Sequence, residues 1–353
     1  MTEPQPIPES EAAVRIPMTE RPHAVVTGAG GFIGSHLVEE LLAQGWRIRA
    51  LVHYNALGSE GHLARVRAGL SEEQRARLEV VQGDVADSRC IRGIVEGASA
   101  VFHLAALIGI PYSYVAPHSY VTTNITGTLN VLEACRDCNV PRLLHTSTSE
   151  VYGTAITTPM SENHPLQAQS PYSASKIAAD KLAESWYRSF GLPVVTVRPF
   201  NTYGPRQSMR AVIPTIIAQA LSDKCPAIRL GALDPVRDLT FVRDTARGFR
   251  MLAEAPADKV VGRVFNLGTG RGISVGSLAA HILNVLQIPK SVEEAPNRRR
   301  PAASEVFALI SDYSRIRREI GWKPEITLED GIRQTAEYLR PLIKDLPVEE
   351  YVR

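Results

Sequence analysis

Short apolar runs rich in β-branched residues alternate along the chain with longer stretches in which apolar positions recur every three or four residues. HAVVTG, from His23, reads as a buried strand, FIGSHLVEELLAQG, from Phe32, as a helix, and RIRALVHY, from Arg47, as a second strand. RLEVVQGD (from Arg77) and ASAVFHLAA (from Ala98) add two strands, and SYVTTNITGTLNVLEACRDC (from Ser119) reads as one continuous helix. PRLLHTST (from Pro141) is a fifth strand, SPYSASKIAADKLAESWYRSFG (from Ser170) a long helix, and LPVVTVRPFN (from Leu192) a sixth strand. This alternation predicts parallel strands joined by right-handed crossovers, hence an α/β fold built on a doubly wound parallel sheet.

From about Gly204 the segments shorten and arginines gather at Arg206, Arg210, Arg237, Arg243, Arg298, Arg299 and Arg300, while strands such as RVFNLG (from Arg263) still interleave. The expected organisation is a nucleotide-binding domain of residues 21–203 plus 239–267. A smaller, discontinuous C-terminal lobe of 204–238 plus 268–345 would bind substrate. Residues 1–20 carry Pro4, Pro6, Pro8 and Pro17 among acidic and polar neighbours, without the basic start and apolar middle of a secretory signal, and read as a disordered tail.

Composition narrows the function classes. A chain of 353 residues can bury a large core. A net charge of +2 gives no reason to expect a nucleic-acid or membrane-surface partner, and no apolar run reaches the eighteen residues of a membrane span. The four cysteines suit a reducing compartment, so a cytoplasmic protein is expected. Cys135 and Cys138 form a CxxC inside a helical pattern with no second pair and no partnering histidines. They read as two helix thiols, and no metal site is expected.

TGAGGFIGSHL places Gly28, Gly31 and Gly34 directly after a strand and at the opening of a helix. Gly28 permits the tight turn, Gly31 lets backbone approach a pyrophosphate, and Gly34 lets helix and strand pack closely. Free N–H groups of the helix start, from Phe32 and Ile33 onward, favour the anion. The strand-loop-helix context makes this a Rossmann-type dinucleotide site. Asp84, followed by Val85 at the end of the third strand, is placed to accept from an adenine amine. Leu104, Ala105 and Ala106 end the fourth strand with residues small enough to lie against a dinucleotide. The second strand ends in Val52-His53-Tyr54-Asn55, without the acid expected on an NAD ribose and without an arginine in its place. NAD is the expected cofactor, and His53, compatible with a 2′-phosphate, leaves NADP open.

YSASK puts Tyr172 and Lys176 one helical turn apart, so both share a face. An ammonium beside a phenol stabilises the phenolate, which can then act as a general base on a hydroxyl. HTSTSEVYG, from His145, ends the fifth strand where a parallel sheet opens its crevice. There Thr148 can hydrogen-bond a hydroxyl being oxidised, Ser149 follows, and Glu150 adds a carboxylate that simple alcohol oxidation does not need.

Together these motifs, with RPFNTYGPRQ from Arg198, resemble the extended short-chain dehydrogenase/reductase family of sugar-nucleotide epimerases, dehydratases and decarboxylases. The resemblance covers about Arg21 to Tyr338. AALIGIPYSYVAP, HTSTSEVYGTA, SPYSASKIAADKLA, RPFNTYGPRQSMRAVIPTI and RDLTFVRDT are similar to one branch, the 4,6-dehydratases of nucleotide-linked N-acetylglucosamine in legionaminic-acid-type pathways. The resemblance implies Tyr172, Lys176 and Thr148 as an oxidation centre, with Glu150 as the base for elimination. Asn201, Arg206 and Arg237 would hold a diphosphate, with Arg298 or Arg300 near the nucleotide of a UDP- or GDP-linked sugar. It also implies a homodimer through the helices containing Asn130 and Ala179. Glucose-type dehydratases usually have an Asp at this position, whereas this chain has Ser149, the residue that GDP-mannose dehydratases and UDP-glucuronate decarboxylases also have there. A decarboxylase acting on UDP-glucuronate, and less so a 4-epimerase, therefore stay open.

Overall fold

The apolar runs form strands, and the strands pair in parallel. The structure, a computed structural model, describes residues 22–295, 306–346 and 348. In chain order the strands are β1 (His23–Thr27), β2 (Arg47–His53), β3 (Leu78–Gly83), β4 (Ala100–His103), β5 (Leu143–Thr146) and β6 (Val194–Pro199). There follow β7 (Asn201–Tyr203), β8 (Ala227–Leu230), β9 (Val236–Phe241), β10 (Val264–Leu267), β11 (Gly272–Ser274), β12 (Ser291–Glu294) and β13 (Ala308–Leu309). Among the described residues seven of them make one sheet in the order β10-β6-β5-β4-β1-β2-β3, every pair parallel.

That order contains a reversal. From β1 the chain steps outward to β2 and β3, then returns to lay β4 on the other side of β1. The loops after β1 and β4 therefore leave the sheet in opposite directions and open a crevice at its carboxyl edge. Register puts Thr27 level with His103, so the glycine loop and the Leu104–Ala106 segment emerge side by side.

Helices cover both faces because strands such as Ala24-Val25-Val26 are fully buried on both. On one face the helices Phe32–Ala43 and Val242–Glu254 pack with Trp46, Phe102 and Val195, and on the other Ser88–Val95 and Gly127–Asp137 pack with Val25, Val101 and Leu143. A third cluster, with Tyr203, Ile213, Ile217, Phe241, Ile282 and Ile332, is the core of the lobe. Its strands β7, β11 and β13 all pair with β9.

Two details differ from the pattern-based expectation. The segment from Ser119 is not one α-helix: Pro117–Tyr120 is α-helical, Val121–Thr126 is π-helical, and the α-helix resumes over Gly127–Asp137. The wider turn seats Asn124, whose buried amide accepts from Leu107 N and donates to Leu107 O and to Ser175 Oγ. The C-terminal part also serves both cores, since Ile316 and Trp322 pack under the large sheet while Ile332 packs in the lobe. Buried Asp244 anchors this return, accepting from Glu325 N and Ile326 N at 3.0 and 2.9 Å and pairing with Arg247. The expected tail, residues 1–20, lies outside the described residues. Among the described residues no helix is long and apolar enough to cross a membrane.

Asp244→Ala would remove the shared acceptor of two part-buried N–H groups and one partner of Arg247, which keeps Glu325 and the Lys323 carbonyl. A loss of about 2–4 kcal/mol is expected, read as a lowered urea midpoint with unchanged slope. A midpoint equal to that of the parent would show that the return is held by packing alone.

Candidate active site

Backbone contact builds the cofactor end. Gly28 has φ +69, and a Cβ there would lie 2.8 Å from Ala105 N, while a Cβ on Gly34 would lie 2.3 Å from Gly28 O. The glycine spacing is therefore a steric requirement. Thr27 Oγ1 accepts from Leu104 N and Ala105 N, both at 3.1 Å, tying the end of β4 to the end of β1. The helix Phe32–Ala43 starts at Gly31 with no capping side chain and no acid in its first turn, which leaves its N–H donors to a phosphate. These features fit a dinucleotide pyrophosphate.

A single cavity of about 940 Å³ runs from this loop to the lobe. Gly28, Gly31, Phe32, Ile33 and Gly34 line one end, with His53, Leu104, Ala105 and Ala106 beside them. Asp84 and Val85 are not in its wall. The Asp84 carboxylate accepts from Ala86 N at 2.9 Å and lies 3.9 Å from His53 Nδ1. Val85 is buried beneath Gly127, and its carbonyl accepts from Asn130. The turn that follows β3 thus uses one Asp84 oxygen, Oδ1, while the exposed side chain keeps Oδ2.

Thr148, Ser149, Glu150, Tyr172 and Lys176 line the middle of the same cavity. Thr148 ends the extended segment and caps the short 3-10 turn Ser149–Tyr152, accepting from Glu150 N at 3.2 Å. Tyr172 and Lys176 stand in the first two turns of the helix Pro171–Phe190, whose start is fixed by a capping box between Ser170 and Ser173. The Thr148 hydroxyl hydrogen-bonds the Tyr172 phenol.

The electrostatics differ from the simple tyrosine–lysine expectation. Burial pushes the Tyr172 phenol well above its usual value, outweighing the Thr148 bond, and the carboxylate of Glu150 pushes it further up. Burial likewise brings Lys176 down to about 8, against the pull of Asp180. In the protein alone desolvation dominates both groups.

Asp180, one turn beyond Lys176, is a buried hub. It accepts from Ser147 Oγ at 2.8 Å and from Arg198 at 2.9 and 3.2 Å, and it faces His145 Nε2 at 3.0 Å. Burial alone would raise its carboxyl, but these partners hold it at about 2. Arg198 also donates to Tyr152 Oη, which donates to Asn266 Oδ1.

At the lobe end Asn201 and Arg237 line the cavity, and Asn201 Nδ2 is buried without a hydrogen-bond partner among the described residues. Arg206 is elsewhere: its buried guanidinium pairs with Glu39 and His36 on the first helix, outside the cavity wall. A left-handed backbone at Arg206, φ +71, turns the side chain that way. Arg298 and Arg300 lie outside the described residues. Residues given no site role from sequence also face the cavity, among them Thr146, Tyr112, Gln207 and Arg210. The signal for Asn124 and Asp180 was polarity inside otherwise apolar helix faces.

Comparison with known proteins decides the family. The family model described as GDP-mannose 4,6 dehydratase matches residues 25–335. The chain is 33% identical over 320 residues to a dTDP-glucose 4,6-dehydratase of Actinoplanes sp., covering 90% of this chain and 97% of that one. The chain belongs to the extended short-chain dehydrogenase/reductase family of NAD-dependent epimerases and dehydratases. Within that family it is also 33% identical to a UDP-glucose 4-epimerase of Mycolicibacterium smegmatis, over 90% of this chain and 98% of that one. Its fold matches DesIV, a dTDP-glucose 4,6-dehydratase of Streptomyces venezuelae solved with NAD bound. The TM-score is 0.82 at 28% identity, over 93% of this chain and all of that one. The chain is accordingly an enzyme of the α/β Rossmann type, and NAD is the cofactor of its family.

With Lys176 at about 8, its charged form is lost as pH rises through that value. The kcat/KM profile should show an alkaline limb near it. A profile flat to about pH 9.5 would separate the lysine charge from turnover.

Proposed function

We propose that this chain is an NAD-dependent sugar-nucleotide 4,6-dehydratase, which converts a nucleoside-diphosphate hexose to its 4-keto-6-deoxy product. The observation that carries the reading is the shared cavity: Glu150 lies in one wall with Thr148, Tyr172 and Lys176, beside the glycine-loop end. Oxidation alone uses the last three. A carboxylate next to them suits a second proton transfer at a neighbouring carbon.

Bound NAD supplies a reversible hydride acceptor. Tyr172 takes the proton from the C4 hydroxyl while Thr148 holds that oxygen, and Lys176 supplies positive charge beside the phenol. The resulting C4 carbonyl acidifies C5–H, which Glu150 removes as the C6 hydroxyl departs. Glu150 passes the C5 proton to that hydroxyl, which leaves as water. The former C4 hydrogen ends on C6, and C5 regains a proton from the site. Asn201 and Arg237 hold the diphosphate, a fork-shaped guanidinium suiting its oxygens. The finer reading is a C2-acetamido sugar on UDP or GDP. It is supported by the apolar wall of Ile108, Ile110, Pro111 and Tyr112, against which an acetamido methyl group would bury.

Ser149, buried where glucose-type dehydratases carry an acid, favours one second reading, decarboxylation of a UDP-glucuronate. That reaction needs no proton donor for departing water.

A panel of UDP-N-acetylglucosamine, GDP-linked hexoses, dTDP-glucose and UDP-glucuronate, read by mass spectrometry in D2O, tests both. Dehydration gives loss of 18 Da with one deuterium at C5. Carbon dioxide from UDP-glucuronate alone would overturn the dehydratase reading. Glu150→Gln should lower kcat by roughly 100-fold or more while hydride removal persists, and Tyr172→Phe should block both steps. Full dehydration by Glu150→Gln would remove this carboxylate from the reaction.

A further inference from the structure

The Pro205–Arg206 turn joins β7 to the loop over the substrate end of the cavity, where Gln207, Ser208 and Arg210 enter its wall. Three residues from the cofactor half grip this one turn. Glu39, on the first helix, ion-pairs with the Arg206 guanidinium. His36, one turn earlier on that helix, lies 3.2 Å from Arg206 Nε and 2.9 Å from the Pro205 carbonyl. His62, whose own N–H donates to Gly30 O in the glycine loop, hydrogen-bonds the Arg206 carbonyl through its ring.

The chemistry of the grip is specific. Burial keeps both His36 and His62 below their usual range, so each is neutral near pH 7. Burial would raise the Glu39 carboxyl, but bonds from His36 and Arg206 outweigh it and hold the group at about 2. Arg206 is 7% exposed and adopts φ +71, a conformation that disfavours any residue with a Cβ. A strained backbone that turns a buried guanidinium away from the cavity and into the first helix has to be over-determined by its partners, and here it is.

We propose that Arg206 is a positioning residue that latches the substrate-side loop to the cofactor-binding helix, so that occupancy of one half of the cavity favours occupancy of the other. The inference rests on the sugar-nucleotide reading above. The helix that Arg206 grips begins at Gly31, where a pyrophosphate would sit. Ordering that helix orders the loop carrying Gln207 and Arg210, and by linkage the effect is reciprocal.

Two variants separate the latch from folding. Arg206→Gly keeps the left-handed backbone and removes the guanidinium, and Glu39→Gln keeps the size of a half-exposed side chain and removes its charge. The full-length protein is titrated calorimetrically with UDP, dTDP and GDP, with and without saturating NAD. In the parent, NAD should tighten binding of at least one diphosphate by roughly fivefold or more. In both variants NAD affinity should stay within about twofold of the parent, while the tightening disappears and the diphosphate Kd rises roughly tenfold. Variants that retain the parental tightening overturn the latch, as does equal loss of NAD and diphosphate binding, which marks a purely structural role. A parent that binds none of the three diphosphates overturns the sugar-nucleotide reading, and the latch falls with it.

Discussion

Under the proposed function, groups that act on neighbouring sugar carbons come from separate pieces of chain: Thr148 and Glu150 from the end of β5, Tyr172 and Lys176 from the following helix. What keeps these pieces in register is the buried carboxylate of Asp180. It lies one helical turn from Lys176 and accepts from Ser147, the neighbour of Thr148, so a single residue bolts the helix to the strand end. Arg198, two residues before Phe200 and three before Asn201, closes the same hub from β6. The hub thus reaches the strand that leads to the substrate lobe. A buried ion pair of this kind adds little net stability over an apolar replacement, because desolvation offsets attraction. Its value here is geometric, since only one arrangement satisfies Ser147, His145 and Arg198 together.

The same burial that fixes the geometry works against the charges the chemistry needs. Tyr172 and Lys176 are both almost wholly inaccessible, and desolvation drives the phenol up and the ammonium down. Asp180 is the counterweight for Lys176. Glu150 acts in the opposite direction on Tyr172, since a second negative charge beside a forming phenolate is unfavourable. Under the proposed function the two bases therefore work in sequence: once Tyr172 holds the O4 proton, it is neutral and no longer opposes Glu150. A dry, preformed site makes such an order matter more than it would in water.

Much of this was legible in the residues. The alternation of β-branched runs with helical periods gave the parallel sheet, because strands buried on both faces must be continuously apolar. Gly28, Gly31 and Gly34 were readable because a missing Cβ is a local property. Tyr172 and Lys176 were readable because four residues make one turn. What was not legible depended on distant partners. The bond that Asp84 accepts from the backbone of its own turn, at one carboxylate oxygen, was not read from the sequence. Arg206 was expected on a diphosphate, yet its direction is set by one backbone dihedral and by Glu39, 167 residues away in sequence. The π-helical turn at Val121–Thr126 follows from the side-chain demands of Asn124 on Leu107 and Ser175, which no periodicity shows. The balance of effects on Tyr172 was not legible for a related reason: spacing reveals the neighbouring ammonium and hides the desolvation.

Ser149 poses the remaining question of how water leaves without a separate acid. In the proposed elimination the C5 proton and the C6 hydroxyl leave adjacent carbons, so one carboxyl can serve both when it stands on the face they share. Glu150 would accept the proton at one oxygen and present it to the departing hydroxyl from the same group. Such a transfer needs a carboxyl that is neither locked in an ion pair nor fully buried. Glu150 meets that condition: its side chain is half-buried at the cavity wall and in no ion pair among the described residues, while its backbone N–H donates to Thr148 and its carbonyl accepts from Gly153 N. An aspartate at position 149 would add a second negative charge to the cavity that holds Tyr172, where Glu150 already raises the phenol. A neutral serine there keeps the oxidation step easier and places the whole burden of proton traffic on Glu150.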